Sequence, residues 1–121
     1  MRRDEKHRQF RSVSHIAAAH LEQRGYTVLK TATRSLIFDL IAFNTHHTLF
    51  ISTRRGKGPQ TGKQISNTYH ELLADMQKTQ VPYCTEKQLW VYLPASYGQN
   101  NCEFTVYKLF EHGIMKKQVP M

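Results

Sequence analysis

Apolar residues early in the chain recur at helical spacing. Phe10, Val13, Ala17 and Leu21 fall three and four apart, with Ile16 and Ala18 widening the stripe, which predicts a helix from about Glu5 to Arg24. Gly25 stands where a helix-ending glycine belongs, and Tyr26-Thr27-Val28-Leu29 opens a β-favouring segment. The run from Leu36 to Phe43 is apolar everywhere except Asp39, the pattern of a strand covered on both faces. Asn44 to His47 supplies a solvated turn, and Thr48 to Thr53 makes a third strand hairpin-paired with the second. Residues 56–62 hold three glycines and a proline and predict a loop, without the spacing or terminal GK[ST] of a phosphate-cradling P-loop. A second helix is expected from about Lys63 to Thr79, with Ile65, Tyr69, Leu72, Leu73 and Met76 on one side, stopped by Val81-Pro82. Gln88 to Leu93 and Glu103 to Leu109 read as two more strands joined by a Pro/Ser/Gly/Asn loop, and residues after His112 as a loose tail.

The order is therefore α-β-β-β-α-β-β, an α/β fold. The first three strands form an antiparallel meander, and the helical crossover brings the fourth strand in parallel, giving a mixed sheet flanked by helices. One domain over residues 1–112 with a C-terminal tail at 113–121 is the expected organisation. The 121 residues and 40% hydrophobic content support a single core without metal or disulfide staples. No apolar run reaches the roughly 18 residues of a membrane helix, and the charged Met1 to Lys6 segment leads into no signal-peptide core, so a cytoplasmic location is expected.

Charge adds a partner class. The chain carries 17 Lys and Arg against 9 Asp and Glu, a formal +8. Residues 23–70 supply +6 of it, with Arg24, Lys30, Arg34, Arg54, Arg55, Lys57 and Lys63 opposed only by Asp39. So one-sided a distribution points to a polyanion-facing surface, a solvated basic face being the plainer alternative. Cys84 and Cys102 belong to no metal-binding spacing and are expected to be buried or neutral thiols. His15 and His20 are five apart and do not stack as a helical ligand pair.

Asp39 is the most informative residue, a lone carboxylate inside an apolar run. It is a metal ligand, one half of an ion pair with a nearby Arg, or a residue at an exposed strand end. Around it, Leu21 to Leu29, Ile37-Phe38-Asp39-Leu40-Ile41-Ala42 and Leu49-Phe50-Ile51-Ser52-Thr53-Arg54 resemble the PD-(D/E)XK nuclease superfamily, closest to its small archaeal Holliday-junction-resolvase-like and YraN-like branches. The resemblance covers residues 10–55 and implies a restriction-endonuclease-like core. In that family acids place Mg²⁺ against a phosphate and a lysine sits near the attacking water. Carried over, Asp39 matches the metal-binding aspartate, but the second acid position holds Ser52 and the lysine position Arg54. A slide of one residue offers Thr53 and Arg55 instead, and the helix acid falls near Ser14 or His15.

One carboxylate and a hydroxyl hold Mg²⁺ poorly, and an arginine keeps its proton at any working pH. The expectation is a nuclease-like protein that binds nucleic acid, DNA first, through phosphate contacts without cleaving it and without a cofactor. Arg54, Arg55, Lys57 and Lys63 would make the contacts, with Lys30 and Arg34 extending the patch and an Asp39–Arg54 salt bridge standing in place of the metal centre. The alternative is a divergent Mg²⁺- or Mn²⁺-dependent endonuclease using Asp39 with Glu71 or Asp75, which lie one turn apart on the second helix. A third reading is a homodimeric interaction subunit, which the resemblance also implies, with the sheet or Trp90, Tyr92 and Tyr107 as its surface.

Overall fold

A computed structural model describes residues 12–31, 37–56, 58, 60–93, 103–111 and 113–117. The predicted helix start, Leu36, the loop before Glu103 and Cys102 lie outside these residues. Helix α1 spans Val13–Gln23, opened by the Ser12 hydroxyl, which accepts the His15 N–H at 3.2 Å. It closes on Gly25 at φ 91°, where the Gly25 and Tyr26 N–H groups bond back to Glu22 and Leu21, a turn that favours glycine because φ is positive. Strands β1 (Thr27–Lys30), β2 (Leu40–Phe43) and β3 (Thr48–Arg55) follow as the expected antiparallel meander. The β2–β3 turn is tied by the Asn44 side chain, which accepts both the His46 and His47 N–H at 2.8 Å.

Two helices make the crossover, α2 (Gly62–Thr68) and α3 (His70–Lys78). A Thr61–Gln64 capping box starts α2. The single helix expected from Lys63 to Thr79 is interrupted at Tyr69, whose backbone sits at φ −108°, ψ 29°. The apolar stripe survives the break because the Ile65–Tyr69 and Tyr69–Leu73 hydrogen bonds still form. Strand β4 (Thr85–Leu93) then pairs parallel with β3, as predicted, and β5 (Glu103–Phe110) pairs antiparallel with β4. Gly113–Lys117, expected to be a loose tail, is instead strand β6, paired antiparallel with β5. The sheet is thus six-stranded and mixed in the order β1-β2-β3-β4-β5-β6, with helices packed against it.

Strand alternation sends side chains into two cores. Ala17, Ala18 and Leu21 of α1 pack on Leu40, Ala42, Leu49, Ile51, Trp90 and Val106. Ile65, Leu73 and Met76 of α2 and α3 pack on Phe38, Leu89, Val91, Tyr107 and Leu109 across the other face. Trp90, Tyr92 and Tyr107 are all buried and belong to the core. The expectation of a second strand covered on both faces fails: Leu40 and Ala42 are buried, but Phe43 is exposed and Ile41 half-buried. Cys84 is likewise exposed, at φ 66°. No helix among the described residues is long and apolar enough to cross a membrane.

Candidate functional site

The apolar run that predicts a strand from Leu36 pairs in the ladder only from Leu40 onward, and Asp39 is the reason. Its backbone N–H still donates to the Ile51 carbonyl at 2.8 Å. One residue pair further, the partner of the Thr53 N–H is not a carbonyl but the Asp39 carboxylate, at 2.7 Å, and the Thr53 hydroxyl donates to the same oxygen at 3.1 Å. The side chain thus takes over the role of the ladder. Ile37 and Phe38 leave the sheet, and Phe38 is buried under α2 and α3. A charged acceptor suits this place, since the N–H of nearly buried Thr53 needs a partner and bonds to ionised groups are the stronger kind.

Arg54 completes the pair. Its Nη1 lies 3.6 Å from the same Asp39 oxygen, both side chains being a little over one-third exposed. At that exposure the ion pair contributes about 0.5 kcal/mol, less than the Thr53 bonds. The Nη1 also donates to the Thr53 carbonyl at 2.6 Å, which fixes the guanidinium. The side chain is a little over one-third exposed, so solvent reaches the guanidinium. Tyr69, at the helix break, is its neighbour: burial pushes the phenol up, and the positive charge of Arg54 pulls it back.

Ser52 shares a face of β3 with Arg54, two residues away. It is fully buried, and its hydroxyl donates to the Ile37 carbonyl at 2.9 Å. A carboxylate here would set an acceptor against an acceptor in a site closed to water. The three motif positions Asp39, Ser52 and Arg54 are therefore gathered at one corner, with one carboxylate among them. Glu71 and Asp75 are exposed on α3, and no hydrogen bond or ion pair ties either to Asp39; Asp75 faces Lys78 at 3.6 Å. Among the described residues no group of three His, Cys, Asp or Glu side chains is placed to hold a metal ion. The donor set at this corner does not fit Mg²⁺, which requires several hard oxygen ligands.

Three of the basic residues, Lys30, Arg54 and Arg55, lie at the same end of the sheet. Register aligns Lys30 with Leu40 and Leu40 with Ile51, so the ends of β1 and β3 that carry Lys30, Arg54 and Arg55 point the same way. Lys30 donates to His15 Nδ1 of α1 at 2.8 Å, an ammonium having donors only. Arg55 is exposed on the α1 face, its Cζ 5.1 Å from the centre of the Tyr92 ring. Lys63 is exposed in the first turn of α2, and Arg34 and Lys57 lie outside the described residues. Sequence reasoning missed Thr53 as the main partner of Asp39 and Tyr92 as the support of Arg55. The register that pairs Arg55 with Tyr92 follows from the parallel alignment of β3 and β4, which the sequence does not number. The sequence matches no protein-family model and no curated protein.

Proposed function

We propose that the chain is a restriction-endonuclease-like protein whose former metal corner is closed and which binds nucleic acid, DNA first, through phosphate contacts without cutting it. The single observation that carries this reading is the state of the motif positions. The Asp39 carboxylate is engaged by Thr53 and Arg54, and Ser52 spends its hydroxyl on a backbone carbonyl. Among the described residues no second acid stands beside Asp39 to bring in a metal, and the fixed arginine there cannot accept a proton from water. The partly exposed guanidinium of Arg54 matches a phosphate, with Arg55 and Lys30 at the same end of the sheet and Lys63 exposed on α2.

Anisotropy titration of a fluorescent duplex DNA over a range of salt tests this. With four phosphate contacts the slope of log affinity against log salt is about −3 to −4, and Arg54→Ala makes it shallower by about 0.9. Salt-independent binding, or none, overturns the reading. Mn²⁺-dependent cleavage abolished by Asp39→Asn overturns it in favour of the endonuclease alternative.

A further inference from the structure

Resting on that reading of the basic end, we propose that Arg55 is a stacking platform for an unpaired base, so that the surface takes single-stranded nucleic acid in preference to duplex. Arg54 and Arg55 are consecutive on β3 and leave opposite faces of the sheet, so their guanidinium groups straddle its end. Arg54 is tied to the Thr53 carbonyl and paired with Asp39, and is a little over one-third exposed. Arg55 is built differently. It has no carboxylate partner among the described residues and lies over a ring, 5.1 Å from the centre of Tyr92.

That ring is itself fixed. Tyr92 packs against Phe104 at 5.1 Å, and Phe104 against Trp90 at 5.1 Å, with Tyr92 and Trp90 both buried. The backbone beside the arginine is pinned as well. Gly56 is buried, its N–H donates to the Tyr92 carbonyl at 2.8 Å, and a Cβ added there would stand 2.8 Å from Val91 Cγ1. The guanidinium carbon thus lies over one anchored ring, and Arg55 as a residue is exposed to solvent.

A planar cation held over an anchored ring and reached by solvent can offer its plane to an unstacked base. Lysine offers the same charge without the plane. In a duplex both faces of each base are already stacked on neighbours, so no base face is free for the arginine. A single strand crossing the end of the sheet can set a phosphate on the Arg54 fork and an unstacked base on Arg55.

The experiment measures anisotropy at one salt concentration with three probes of equal length: oligo-dT, the same backbone made abasic, and a duplex. Oligo-dT is expected to bind about tenfold tighter than the abasic strand, and tighter than the duplex. In Arg55→Lys, a surface change that retains the charge, the dT-to-abasic ratio falls to about one. Equal binding of dT and abasic strand by the unmodified protein, duplex binding as tight as dT, or an unchanged ratio in Arg55→Lys overturns the stacking platform while leaving the phosphate reading standing. Failure to bind any of the three overturns both.

Discussion

The two ends of the sheet each carry a strand carboxylate, and they handle it in opposite ways. At the far end, Glu86 on β4 is mostly buried and receives the Gln88 amide at 2.5 Å and Lys117 at 3.0 Å, with Lys108 at 3.6 Å. Gln88 in turn accepts the buried Trp90 N–H at 2.8 Å, so the charge is wired into the core. At the near end Asp39 is a little over one-third exposed, has one cation at 3.6 Å, and is bonded chiefly to Thr53. Glu86 consumes the basic groups around it. Asp39 fixes one arginine and leaves Arg55, Lys30 and Lys63 without a carboxylate partner among the described residues. The comparison teaches that the basic surface arises from where the acids are missing, more than from an excess of lysine and arginine.

Three substitutions can break or sharpen this contrast. The largest effect is expected from Ser52→Asp, which restores an acid to the motif position. Placed in a site closed to water and facing the Ile37 carbonyl, the carboxylate should destabilise the fold by about 3 kcal/mol or more, read by urea denaturation. A variant as stable as the parent, and active with Mn²⁺, would mean the corner is still a metal site. Next is Asp39→Ala, which strips the acceptor from the Thr53 N–H and should lose about 2 kcal/mol in the same assay. A loss no greater than that of Arg54→Ala would show that the ion pair, and not the ladder-replacing bond, dominates.

The smallest effect belongs to Glu86→Gln, at about 1 kcal/mol near neutral pH, and its signature is pH dependence. Burial pushes the Glu86 carboxyl up, but the hydrogen bonds from Gln88 and Lys117 and the charges of Lys117 and Lys108 outweigh it and hold the group below its ordinary 4.5. A depressed carboxyl stabilises fully above the unfolded value and loses that contribution as pH falls through the folded one. Thermal unfolding should therefore show the parent losing stability relative to Glu86→Gln below about pH 4.5. Parallel curves would remove Glu86 from the comparison.

Much of this was legible in the residues, and the failures have physical causes. The α/β class, the meander and the parallel crossover follow from turn chemistry and run length, and the Asp39–Arg54 pairing was one of three readings of a lone acid in an apolar run. The extent of β2 was not legible, because Ile37 and Phe38 are as apolar as strand residues and only the Asp39–Thr53 bond takes them out of the ladder. Strand β6 was missed because Gly113-Ile114-Met115-Lys116-Lys117 is short and half polar, as suits a sheet edge. The break at Tyr69 was missed because its stripe of apolar positions stays in phase across it.

The parallel pairing of β3 with β4 has a consequence for how the molecule assembles. Each side of that seam is a meander of sequence-local antiparallel pairs, β1 to β3 and β4 to β6. The seam alone joins strands separated by the whole helical crossover, and non-local pairing of this kind carries the larger loop-closure entropy. Arg55 over Tyr92 and Gly56 against Val91 are contacts across the seam. The basic end therefore takes its shape only where the two meanders are joined, and either half alone holds its charges without the geometry.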